Sequence, residues 1–251
     1  MLVNANLTFV LSESSLYMAE VSKDAKQIIR FDFFQFKSKN EEDILTHLNE
    51  KIELFTKNTN YITYSLSWCG LISSFYPSKT LDSHSPGNLL EFIFGKRIKE
   101  NSINCEDIPG YSFTNIFEFP GFLKDYFLSK FPSIKLIHVN SALFRNSEGE
   151  FKKIIISVSD SFFTVVQIGE NKLKFINSYE YTNAEDLVYY VHFFIQKQLI
   201  DILDYQCIIF NSNPLRDDSI IEFLNKIQLT QGKKFKEIKV NNHVFNQLRC
   251  V

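Results

Sequence analysis

Residues 154–168 read IIISVSDSFFTVVQI, two apolar runs joined by Ser159-Asp160-Ser161. Ile154, Ile155 and Ile156 follow one another with no polar residue between them, which predicts a strand buried on both faces. The link is short and polar, so the two runs are predicted to form a hairpin. Its single carboxylate, Asp160, poses the functional question: whether this turn grips a phosphate or only has the outline of one that does.

Downstream, a strand is predicted over 172–179 after the turn Gly169-Glu170-Asn171. Thr182-Asn183-Ala184-Glu185 then fits a capping box, and Leu187, Val188, Val191, Phe194 and Ile195 form the apolar stripe of a helix over 184–199. A strand over 205–210, a helix over 214–227 opened by Asn213 and Pro214, and a strand over 235–240 complete the series.

The N-terminal part runs in the same order. Strands are predicted over 7–11, 16–21 and 27–36, then a capping box Ser38-Lys39-Asn40-Glu41. A helix over 41–55 follows, with Ile44, Leu45, Leu48, Ile52 and Phe55 in register, and a strand over 61–66. An insertion of about residues 68–118, with a helix start at Ser85-Pro86 and a strand over 111–119, precedes a closing helix over 122–131 and strand over 135–139. The order β-β-β-α-β therefore occurs twice. Three antiparallel strands and a helical crossover to parallel strands make a ribonuclease-H-like half. The expected fold class is α/β with mixed sheets: two ribonuclease-H-like halves, 1–146 with the insertion and 147–251, facing each other across a cleft as in actin-like ATPases.

The bulk composition excludes several classes. The 251 residues are 45% hydrophobic and 22% charged, as in ordinary globular proteins. A net charge of -2 without basic or acidic blocks provides no footprint for nucleic acid or an anionic membrane. The start, MLVNANLTFVLSESS, lacks the pattern of a signal peptide, and no apolar run is long enough to span a membrane. Cys69, Cys105, Cys207 and Cys250 form no close pair, which fits a reducing cytoplasm and excludes a CxxC site. The 26 phenylalanines are spread over all segments, which fits biased composition better than a stacking surface.

Residues 175–198, FINSYEYTNAEDLVYYVHFFIQKQ, resemble the most distinctive segment of a bacterial family, domain of unknown function 3822. That segment has a strand ending aromatic-Glu-aromatic, then Thr-x-Ala-Glu-Asp, then an aromatic-rich helix. The resemblance extends over nearly the whole chain and implies an actin-like ATPase fold. It brings no catalytic residues with it.

Nucleotide-binding proteins of the wider superfamily grip phosphates with one hairpin per half, using a strand-end Asp for hydrated Mg²⁺ and turn glycines for close backbone approach. Here the first hairpin reads Leu11-Ser12-Glu13-Ser14-Ser15, with neither feature. In the second, Ser157 falls where the Asp is expected, and Ser159 and Ser161 replace glycines beside Asp160. The adenosine-side turn, usually a Gly pair, reads Phe210-Asn211-Ser212-Asn213-Pro214. The helix starts carry Glu41, Glu42, Asp43, Glu185, Asp186, Asp217 and Asp218, which stabilise the helices and repel polyphosphate. Neither 7–11 nor 154–158 contains the carboxylates of a two-metal nuclease, and no GxSxG occurs.

Other residues have plain readings. His138 alternates with Ile137 and Val139 and faces either a cleft or a hydrogen-bonded core. His47 and His192 lie on different helices and make no metal pair. Lys233, Lys234, Lys236 and Lys239 suit an edge strand protected against aggregation. Trp68-Cys69-Gly70 has no adjoining base to activate the thiol.

The leading expectation is a cytoplasmic, non-catalytic pseudo-ATPase that acts as a scaffold or docks a protein or peptide partner, with no cofactor and no metal. The alternatives are a divergent ATPase or kinase holding nucleotide through Asn211, Ser212 and Ser14, and a small-ligand sensor. The degenerate loop positions to follow are Glu13, Ser14, Ser157, Asp160, Ser161, Asn211 and Ser212.

Overall fold

A computed structural model describes residues 5–57, 59–79, 85–108, 110–144, 152–169, 172–211 and 236–238. The chain divides into two units, with the boundary between Ala142 and Leu143.

In the first unit β1 (Ala5–Ser12), β2 (Ser15–Ser22) and β3 (Ile28–Gln35) form an antiparallel meander. Helix α1 (Glu41–Thr56) crosses over to β4 (Tyr61–Cys69), which pairs parallel with β1. Next come β5 (Ser73–Pro77), α2 (Pro86–Phe94), β6 (Ile103–Asp107) and β7 (Phe113–Glu118). Helix α3 (Gly121–Lys130) leads to β8 (Lys135–His138), parallel to β4, and the short α4 (Val139–Leu143) follows. The main sheet has the order β3-β2-β1-β4-β8, and the inserted strands make a separate antiparallel sheet, β5-β7-β6. Sequence periodicity foresees β7 and α2 but not β5 and β6. Each of those two strands has five residues without a clean alternation, and each exists only by pairing with β7.

The second unit contains β9 (Lys153–Val158), β10 (Phe162–Gly169), β11 (Lys172–Glu180), α5 (Ala184–Lys197), β12 (Gln206–Asn211) and β13 (Lys236–Ile238). Its sheet order is β11-β10-β9-β12-β13, with β12 parallel to both β9 and β13. Both five-stranded sheets thus place the first strand at the centre, flanked by the hairpin on one side and parallel strands on the other. The helix expected over 214–227 lies outside the described residues.

The central strands are dry on both faces, as the isoleucine run predicts: every residue of β9 and β10 is buried. One face packs on a helix in each unit. In the first, Ile44, Leu48, Ile52 and Phe55 of α1 and Leu123 and Phe127 of α3 join Leu7, Phe9 and Leu11. The Phe9 ring lies 5.3 Å from that of Phe127 and 5.4 Å from that of Phe131. In the second, Leu187, Val191 and Phe194 of α5 pack on Ile154, Ile156 and Val165, with the Phe194 ring 4.9 Å from Phe175. Full burial of one such ring is worth about 1.5–3 kcal/mol. Buried Glu20 is held by Arg30, its neighbour across β2 and β3, at 2.8 Å.

Both helix starts differ in detail from the predicted capping boxes. The residue capping α1 is Asn40, whose side chain accepts from the Glu42 and Asp43 amides at 2.9 and 3.3 Å, while Ser38 donates to the Asp43 carboxylate at 2.8 Å. For α5 it is Asn183, accepting from the Asp186 amide at 2.8 Å; the Asp186 carboxylate accepts from the Thr182 amide at 2.9 Å and hydroxyl at 2.6 Å. Asparagine caps as well as serine or threonine, and the carboxylate that reaches back is that of Asp43 or Asp186 and not of the predicted Glu41 or Glu185.

Candidate functional site

The two hairpin turns stand at the carboxyl ends of the central strands, the place where open α/β sheets bind ligands. Strand register makes them equivalent. Leu11 pairs with Leu16 at the end of the first hairpin, and Val158 with Phe163 at the end of the second. Each turn therefore has four residues, and Ser12, Glu13 and Ser14 correspond to Ser159, Asp160 and Ser161. A carboxylate falls at the second position of both turns.

Several backbone groups of the turns are already engaged by the protein. In the first turn the Ser12 hydroxyl accepts from the amides of Ser14 at 3.2 Å and Ser15 at 3.0 Å, and lies 2.9 Å from the Ser15 hydroxyl. The Ser14 carbonyl accepts from the Phe36 amide at 2.8 Å. In the second turn the Ser161 carbonyl accepts from the Tyr181 amide at 3.1 Å, and the Tyr181 hydroxyl donates to the Ser159 carbonyl at 2.6 Å. The Ser159 amide closes the turn on the Phe162 carbonyl at 2.9 Å. Phe36 and Tyr181 are equivalent: each is the first residue after its β3-type strand.

Glu13 and Ser14 are exposed, Asp160 is half-buried and Ser161 exposed. Ser157 is buried within β9 between Thr164 and Phe210, and its hydroxyl has no hydrogen-bond partner. It points into the protein and offers nothing to a hydrated cation outside. The backbone of Asn211 ends β12 beside Val158, whereas Ser212 lies outside the described residues. The structure thus groups Ser157, Asp160, Ser161 and Asn211 at one end of the second sheet, and Glu13 with Ser14 at the same end of the first. Sequence reading overlooked Ser12, Phe36 and Tyr181. The serine run 12–15, a local side-chain-to-backbone motif, was the available signal for the first.

A second polar group lies where β4 and β8 of the first unit end. His138 is fully buried; its Nε2 donates to the Gly70 carbonyl at 3.0 Å and its Nδ1 accepts from the Asn140 amide at 3.1 Å. Its own amide donates to Glu106 at 3.1 Å. Burial pushes the imidazole pKa down to about 3 against the weaker opposing pull of the Gly70 carbonyl, so the ring is neutral. The Asn140 carboxamide and the Trp68 indole nitrogen are buried without partners. His138 is therefore a core histidine and not a free base.

Conventional nucleophile and metal chemistry is equally unsupported among the described residues. No group of three or more His, Cys, Asp or Glu side chains is placed to hold a metal ion. Cys69 and Cys207 are buried, and burial with the nearby Asp107 raises the pKa of the exposed Cys105 thiol, which disfavours the reactive thiolate. No described helix is long and apolar enough to cross a membrane.

Comparison with known proteins agrees with this architecture. A Bacteroides thetaiotaomicron protein with actin-like ATPase fold and unknown function superposes with a TM-score of 0.73 at 13% identity, covering 94% of this chain and 91% of its own. The PilM–PilN type IV pilus biogenesis complex gives 0.56 at 8% identity, over 95% and 89% of the two chains. The cytoplasmic domain of EpsL, an inner membrane component of the Vibrio cholerae type II secretion system, gives 0.53 at 9%, over 99% and 96%. No curated protein matches the sequence. The family model for proteins of unknown function DUF3822 matches residues 3–227, and the chain, with its actin-like ATPase fold, belongs to that family.

Proposed function

We propose that this chain is a non-catalytic docking protein whose hairpins no longer grip nucleotide and which works in the cytoplasm by binding a protein or peptide partner. The observation that carries the reading is the engagement of the Ser14 and Ser15 amides by the Ser12 hydroxyl. A phosphate loop works by presenting such amides, unspent, to the anion. Recruiting them here requires breaking hydrogen bonds already made. The second turn supports the same reading, because its Ser159 amide is spent on the Phe162 carbonyl and Ser157 is turned inward. Acidic first turns, Glu41, Glu42 and Asp43 on α1 and Glu185 with Asp186 on α5, oppose an incoming polyphosphate. The fold is shared with the PilM of a pilus complex and with a secretion-system component, which makes partner docking the natural use of a scaffold without nucleotide chemistry.

The test is a thermal-shift titration with millimolar Mg-ATP and Mg-GTP, together with a phosphate-release assay. The expected result is an unchanged melting temperature, no release above blank, and no effect of Asp160→Ala. A rise in melting temperature with Mg-ATP that Asp160→Ala abolishes refutes the docking reading and favours a divergent ATPase or kinase.

A further inference from the structure

The outer face of α5 carries a row that pairs with itself. Leu187, Val191 and Phe194 turn inward, and Glu185, Tyr189, Phe193 and Lys197 all stand exposed, each four residues from the next. Tyr189 is 64% and Phe193 42% exposed, and the two rings stack at 6.4 Å with an interplanar angle of 18°. The Lys197 ammonium lies 5.5 Å from the Phe193 ring. Among the described residues Glu185 and Lys197 have no ion-pair partner of opposite charge. At the C-terminal end of the same helix Leu199 is 91% exposed and sits at φ 50°, a left-handed position that favours glycine. An apolar side chain there carries both a backbone and a hydration cost.

We propose that this row is a homodimer contact in which α5 packs antiparallel against α5 of a second copy of the chain. The four positions are symmetric about the point midway between Tyr189 and Phe193. Reversing one row against the other sets Glu185 beside Lys197 of the second copy and Tyr189 beside Phe193, and a two-fold axis repeats both contacts. This is the self-complementarity a closed isologous interface requires. Rows of residues four apart are the ridges that interdigitate in the commonest helix-packing class, so the rows can lie side by side over about 18 Å. An apolar aromatic centre with a charged pair at each end repeats the ordinary core-and-rim anatomy of an interface. A single helix pair buries less than about 1,200 Å², which places the dimer in the weak, concentration-dependent class. The same row fits no nucleic acid or acidic surface, since it carries one charge of each sign.

Sedimentation of the full chain from about 1 to about 500 µM, a range chosen for an interface of that small size, tests the proposal. The wild type is expected to shift from monomer to dimer across the range, less so in 0.5 M NaCl, where a Debye length of roughly 4 Å screens the end pairs. Tyr189→Ser with Phe193→Ser is expected to remain monomeric while keeping the wild-type circular dichroism and urea midpoint. Glu185→Lys alone and Lys197→Glu alone set like charges together at both ends, and each is expected to weaken association at least about tenfold. Mixing these two variants in equal amounts restores both opposite-charge pairs, so the mixture is expected to dimerise as the wild type does. The proposal is overturned if the wild type stays monomeric throughout. It is equally overturned if the serine variant still dimerises, if the single charge variants associate normally, or if their mixture fails to recover.

Discussion

Acid is expected to unfold this protein in part through one residue, His138. In the unfolded chain a histidine takes up its proton near pH 6.5, whereas the buried ring accepts one only near pH 3. The native pKa is depressed, so the unfolded state binds more protons between those values. The contribution of His138 is therefore fully present above about pH 6.5 and is lost as pH falls toward 3. Integrating the difference from pH 7 to pH 5 gives a loss of about 2 kcal/mol from this side chain, at about 1.4 kcal/mol per pH unit below the unfolded value. His138→Gln removes the titrating group while retaining a donor for the Gly70 carbonyl and an acceptor for the Asn140 amide. Urea melts of both proteins at pH 7, 6 and 5 isolate the effect, because every other titrating group is common to the two. The variant starts less stable at pH 7, and the gap is expected to narrow by about 2 kcal/mol at pH 5. Parallel pH profiles would show that the ring is protonated in the native state or reaches solvent, and the buried hydrogen-bonded reading would fall.

Two further substitutions test the second unit. Phe194→Ala removes the ring that α5 sets against Phe175 and should cost about 3–5 kcal/mol in urea unfolding; no loss would mean that the helix buries another face. Asn183→Ala should cost about 0.5–2 kcal/mol by removing the acceptor for the Asp186 amide, and a smaller loss than for Thr182→Ala would return the cap to Thr182.

Much of the fold was legible in local patterns. The isoleucine run 154–156 announced a strand buried on both faces because no polar residue interrupts it. The apolar spacing of Ile44, Leu48 and Ile52, and of Leu187, Val191 and Phe194, announced one buried helix face apiece, and all six are buried. The repeated element order then implied two sheets of one topology. The short strands Ser73–Pro77 and Ile103–Asp107 were not legible, since five residues of mixed polarity become a strand only when a third strand provides their hydrogen bonds.

The candidate site divides along the same line. Composition alone removed the glycines and the strand-end Asp from both turns, because backbone approach and cation binding depend on which residue types are present. What occupies the backbone groups instead was decided by tertiary structure. The Tyr181 hydroxyl reaches the Ser159 carbonyl across 22 residues, and Phe36 reaches Ser14 only once β3 has folded back along β2. The equivalence of Glu13 with Asp160 likewise exists only in the strand register. Propensity and periodicity describe neighbours along the chain; hydrogen bonds between distant groups depend on how the strands are brought together, and that is settled by packing of the whole sheet.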